Sequence, residues 1–120
     1  MFKFLKKWFT KEKTYHEVPR MYVIIRGDLH PTYAMVQGAH ALTAFIMKHP
    51  NQTKEWNNEY LIFLKVFNYK ELISFKEDIL TKSENVLVRW SVFNEPDLDN
   101  QMTAIALYDN GRVVDGLHLA

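Results

Sequence analysis

Residues 21–25, Met-Tyr-Val-Ile-Ile, constrain this chain more than any other feature. They are apolar without alternation and rich in β-branched side chains, which suits a strand buried on both faces. Such a strand needs structure stacked above and below it, so a sheet between helices is the expected frame. It ends in Arg26-Gly27-Asp28, and Pro31 then stands where a first helical turn accepts proline. A helix is predicted from 31 to about 47, broken by His49-Pro50-Asn51-Gln52.

The remaining chain continues the alternation. Thr53 caps a short turn containing Trp56, and residues 59–66 (EYLIFLKV) read as a second strand. Residues 69–81 place Leu72, Ile73, Phe75, Ile79 and Leu80 on one helical face. Residues 85–93 (NVLVRWSVF) and 102–108 (MTAIALY) are the third and fourth strands, and the tail 113–119 adds an edge strand or packs down. Strands alternating with helices predict a mostly parallel sheet. The loop 94–101 is too short for a crossover helix, so the last two strands are expected to be antiparallel. The predicted fold class is α/β: a three-layer α/β/α arrangement with a mixed, mostly parallel four-stranded sheet (β-α-β-α-β-β), plus an N-terminal amphipathic helix.

That helix is read from residues 2–13, FKFLKKWFTKEK, where Phe2, Leu5, Trp8 and Phe9 recur at helical spacing among lysines. Residues 1–19 form a basic extension and linker, and 20–120 form the domain. Residues 1–20 hold six Lys and Arg against Glu12 and Glu17, a net of +4, and the other hundred residues carry −3. A basic amphipathic helix suits a peripheral membrane or protein partner through Phe2, Leu5, Trp8 and Phe9. It suits equally an apolar patch of its own domain or a homodimer interface. The negative body repels phosphate, so a nucleic-acid partner requires a local basic patch. The absence of cysteine excludes structural disulfides and thiolate metal sites, in keeping with a cytoplasmic protein. Apolar runs such as 60–64 fall far short of the roughly 20 residues needed to cross a bilayer. Lys3, Lys6 and Lys7 interrupt what would be a cleavable signal.

On helix 31–47, Met35, Ala39, Leu42, Phe45 and Ile46 cluster on one side, and Gln37, His40, Ala41, Ala44 and Lys48 on another. The second stripe mixes hydrogen-bonding groups with small residues, Gly38 beside them. Close approach of a ligand and packing against the sheet both fit it. Asp28 is placed to anchor the helix start through backbone N–H groups or to act in chemistry. In the loop Asn94-Glu95-Pro96-Asp97-Leu98-Asp99-Asn100, three carboxylates fall within five residues without the spacing of a calcium loop. An acidic turn accounts for it, or else this loop meets His40 at one end of the sheet. A carboxylate beside an imidazole would orient it and raise its pKa, which makes a general base. The sequence has no Gly-rich phosphate loop, HExxH, GxSxG or paired histidines at metal spacing, so no metal or cofactor is expected.

The first strand with Asp28-Leu29, the run Gln37-Gly38-Ala39-His40-Ala41, the downstream Trp56, the strand 60–66 and Thr103-Ala104-Ile105-Ala106-Leu107 together resemble the type II peptidyl-tRNA hydrolases. The chain is most similar to a shorter phage and bacterial branch marked by D-L-x-P…V-Q-x-x-H-A and by an E-P-D-L loop, here Glu95-Pro96-Asp97-Leu98. The likeness spans residues 20–120. It implies metal-free hydrolysis of the ester joining a peptide to tRNA, with water as nucleophile. On this resemblance Asp28, Gln37 and His40 match the family's first motif, Glu95 stands where an Asp opens a D-A-G-x-T loop, and Thr103 starts the last strand. Glu95 or Asp97 would activate water, with His40, while Gln37 polarises the carbonyl. The family's lysine- and glycine-bearing stretch is replaced by Leu29-His30-Pro31-Thr32-Tyr33-Ala34, without lysine. Affinity for tRNA would then rest on Arg26, Lys48 and the basic N terminus. The alternative is an inactive binding module on the same scaffold, tethered through its N-terminal helix.

Overall fold

The computed structural model describes residues 18–82 and 88–120; the predicted helix 2–13 and its partner-facing Phe2, Leu5, Trp8 and Phe9 lie outside them. Strand β1 (Arg20–Arg26) is followed by α1 (Pro31–Lys48) and the short α2 (Pro50–Trp56). Then come β2 (Leu61–Val66), α3 (Tyr69–Lys82), β3 (Arg89–Glu95), a 3-10 turn (Pro96–Leu98), β4 (Gln101–Asp109) and the two-residue β5 (His118–Leu119). His30 caps α1 by accepting the Thr32 N–H on its ring nitrogen, with Pro31 in the first turn. Asn57 ends α2 in the left-handed conformation at φ 52°, which asparagine tolerates.

The five strands lie in the order β3-β4-β1-β2-β5. Only β1 and β2 are parallel neighbours; β1–β4, β3–β4 and β2–β5 are antiparallel. This corrects the expectation of a four-stranded, mostly parallel sheet. Strand–helix alternation sets the direction of strands and not their neighbours. Here β1, β2 and β3 do run the same way, but β4 is inserted between β1 and β3, and β5 adds a fifth strand beside β2. Burial explains the insertion. Eight of the nine residues of β4 are buried, so it needs neighbours on both sides. The more polar β3, with Arg89, Asn94 and Glu95, takes the edge.

The core has two compartments, one on each face of the sheet. Ile24, Leu64, Val66, Ile105 and Leu107 pack with Leu72, Phe75 and Ile79 of α3. Met21, Val23, Ile25, Ala104, Ala106 and Tyr108 pack with Ala34, Ala41 and Phe45 of α1 and with Trp56 of α2. The α1 compartment is shallow because small residues let the helix sit close. A Cβ on Gly38 would come within 2.7 Å of the Phe63 ring and 3.0 Å of both Val23 and Ile25 side chains. Helix α1 therefore turns Ala34, Gln37, Gly38, Ala41 and Phe45 inward. Met35, Ala39 and Ile46, grouped by sequence with Phe45, are exposed.

Candidate functional site

The alternation of β4 is broken where the ladder slips. Phe93 faces Ala104 but Asn94 faces Met102, so Thr103 is the extra residue of a β-bulge. Bulges re-aim side chains. This one turns two consecutive residues, Thr103 and Ala104, toward α1. Thr103, fully buried, donates its hydroxyl to Gln37 Oε1 at 2.6 Å, with Phe93 O also within reach at 3.3 Å. Gln37 is itself only 1% exposed and donates Nε2 to Glu95 Oε1 at 3.1 Å. The Tyr33 hydroxyl donates to the same oxygen at 3.2 Å. The amide can face only one way: its N–H₂ meets a carboxylate and its carbonyl meets a hydroxyl.

The result is a chain of bonds from Thr103 through Gln37 to Glu95, joined there by Tyr33. Both donors use Oε1 of Glu95, and among the described residues nothing is bonded to Oε2. Glu95 is half-buried where β3 meets the 3-10 turn. The Tyr33 phenol is held above its usual value by desolvation first, then by its bond to Glu95 and by the charges of Glu95 and Asp97. It therefore stays a neutral donor at physiological pH. Asp97 is exposed on the turn.

His40 lies three residues beyond Gln37 and is exposed. Its ring stacks on Phe93, centroids 4.4 Å apart and planes 12° from parallel. No hydrogen bond joins it to Glu95 among the described residues. Lys48 is exposed in the last turn of α1.

Arg26 and Asp28 occupy the other face of the sheet. Arg26 is buried and grips Asp28 with two bonds, Nε to Oδ1 at 3.0 Å and Nη2 to Oδ2 at 2.8 Å. Nη1 reaches Gln101 Oε1 at 2.9 Å and Met102 O at 3.3 Å, and the guanidinium lies 5.0 Å from the centre of the Tyr69 ring. The bonds from Arg26 hold the Asp28 carboxyl below its usual range against the opposing effect of burial. This network locks the end of β1 to the start of β4 and leaves the guanidinium engaged.

The structure thus gathers Gln37, Glu95 and Thr103 into one network with His40 on its flank, and sets Arg26 and Asp28 apart. Tyr33 and Phe93 were missed from sequence. Tyr33 is four residues before Gln37 and seven before His40, and Phe93 is two before Glu95. Helical and strand periodicity would have found both. Among the described residues no group of three or more His, Asp or Glu side chains could hold a metal ion. No helix among them is long and apolar enough to cross a membrane. A cleft of about 630 Å³ lies elsewhere, lined by Gly27, Val66, Phe67, Glu71, Phe75 and Leu117.

No known family model matches the chain. No curated protein matches it. Among solved structures it is similar to a protein of unknown function from Agrobacterium tumefaciens strain C58. The TM-score is 0.60 at 13% identity, over 85% of this chain and 97% of that one. At that identity the two share a fold and nothing more is transferred.

Proposed function

We propose that this chain is a peptidyl-tRNA hydrolase-like esterase, cleaving the ester between a peptide or acyl group and tRNA, with Glu95 as the base. The observation that supports this reading is the division of labour on the Glu95 carboxylate: among the described residues Oε1 takes two donors and Oε2 none. A held carboxylate with a spare oxygen is suited to activating water. Water bound at Oε2 gives its proton to Glu95 as its oxygen attacks the ester carbon. The tetrahedral intermediate then expels the ribose oxygen, which recovers that proton from Glu95. Gln37 and Tyr33 position the carboxylate, and Thr103 positions Gln37. Lys48 is left to meet a phosphate, because Arg26 is engaged by Asp28 and Gln101. Incubating the purified protein with peptidyl-tRNA tests the reading. Release of free peptide by micromolar protein is expected; intact substrate, under conditions where an authentic family enzyme cleaves it, refutes the proposal.

A binding module is the second reading, and one observation favours it. The outer face of α1 leaves Met35, Val36, Ile46 and Met47 from 41% to 78% exposed, on a helix whose lone Lys/Arg/Asp/Glu residue is Lys48. Contiguous exposed apolar surface of this kind marks interaction sites. This reading expects intact peptidyl-tRNA and a self-association or partner complex that Val36→Lys abolishes.

A further inference from the structure

We infer that His40 is the platform for the terminal nucleobase of the substrate, a role that rests on the esterase reading above and differs from acid–base catalysis. One face of the imidazole is covered by Phe93 at 4.4 Å and nearly parallel, so the exposed surface of His40 is its other face and its edge. A flat aromatic surface backed by a second ring is the means by which proteins hold unpaired bases. The backing ring is fixed in turn. Phe93 sits on β3 opposite Ala104, and its carbonyl lies within 3.3 Å of the buried Thr103 hydroxyl.

The spacing from this platform to Glu95 fits a 3′-terminal nucleotide. Phe93 and Glu95 are two residues apart on one strand, so their side chains leave the same face about 7 Å apart. A base stacked on His40 then places its ribose beside Glu95, where the ester is attacked. Along α1 the sequence of groups is Tyr33 and Gln37 at Glu95, His40 at Phe93, and Lys48 two turns beyond His40. Lys48 is about 12 Å further along the axis. Lys48 thus lies beyond the span of the terminal nucleotide itself and is placed for a phosphate further along the strand. No acidic residue lies on α1 to oppose it. The platform accounts for two exposed features together: an aromatic stack on the rim, and a helix otherwise free of acidic charge.

Binding is separable from turnover, so the test uses ligands that are not hydrolysed. Adenosine 5′-monophosphate and the trinucleotide CCA are titrated into the full chain and followed by NMR. Upfield ring-current shifts of the His40 ring protons, saturating with ligand, are expected. His40→Leu keeps Phe93 covered but removes the π face, and should weaken binding at least about fivefold. His40→Phe restores the platform and should bind within about twofold of the unaltered chain. Ribose 5-phosphate, which has no base, should not produce the shifts. Equal binding by His40→Leu, or shifts from ribose 5-phosphate matching those from the nucleotide, would overturn the inference. If nucleotide binds through His40 but peptidyl-tRNA stays intact, the platform stands and the esterase reading falls. If His40→Phe keeps hydrolysis and binding, base stacking and not proton transfer is its role.

Discussion

Two polar networks sit at the same end of the sheet, on opposite faces, and they differ in one respect. On the α3 face Arg26, Asp28, Gln101 and the Met102 carbonyl satisfy one another around a buried guanidinium. On the α1 face Thr103 donates to Gln37, and Gln37 and Tyr33 both donate to one oxygen of Glu95, while among the described residues its other oxygen has no partner. The first network is closed and the second is open. A closed network holds structure together, and an open one has a group left over for a substrate. Both draw on the same short stretch of β4, where Gln101 and Met102 serve one face and the bulged Thr103 serves the other.

If the comparison is right, breaking the closed network should cost stability. Asp28→Ala leaves the buried guanidinium without its carboxylate. The cost expected is about 2 kcal/mol, below that of a fully buried pair because Asp28 is part-exposed. Chemical denaturation should show it as a lower midpoint with an unchanged slope.

Thr103→Val should come next in size. It removes the donor to Gln37 Oε1 in a fully buried position, at about 1–2 kcal/mol. Unlike Asp28→Ala it should also lower hydrolysis, since Gln37 would no longer hold Glu95. Measured together, melting and turnover separate the two networks: only the α1-face variant should move both. An Asp28→Ala variant that lost turnover while keeping its stability would break the comparison.

The closed network also predicts how stability falls in acid. The folded pKa of Asp28 lies below its unfolded value, so the stabilisation from this group is complete above the unfolded pKa, near 3.8. It is lost as pH falls through the lower, folded value. Asp28→Asn should therefore flatten the acid limb of the stability curve below about pH 4. A limb of unchanged steepness would mean that other carboxyls carry it.

Tyr33→Phe is the smallest perturbation. It removes one of two donors to Glu95 at a half-exposed position, and its effect on the denaturation midpoint should be the least of the set. Turnover should fall by less than in Thr103→Val, because Gln37 still holds the carboxylate.

The sequence disclosed some of this architecture and hid the rest for physical reasons. The uninterrupted apolar run of β1 marked a central strand, and the short acidic loop marked β3 and β4 as an antiparallel pair. Neighbour order was not legible, because the insertion of β4 depends on how much of it is buried rather than on any local signal. Helix α1 carried two stripes, and periodicity alone did not say which one met the sheet. Gly38 and Ala41 decide it by letting the helix sit close, although a hydrophobic count gives little weight to small residues. That orientation is what brings Gln37 inside. Glu95 was visible as one of the carboxylates of the acidic loop, whereas Thr103 was named by resemblance alone, since the bulge that aims it at Gln37 exists only once β3 and β4 are paired.

The proposed hydrolysis turns on the spare oxygen of Glu95. The most direct measurement is the rate of peptidyl-tRNA hydrolysis by the unaltered chain and by Glu95→Gln, with thermal melts of both. Glu95→Gln keeps an acceptor for Gln37 and Tyr33 but cannot take a proton from water. Hydrolysis by the unaltered chain, a loss of at least about 100-fold in Glu95→Gln, and nearly equal melting temperatures are expected. Equal rates in the two proteins, or no hydrolysis by either, would contradict the proposal.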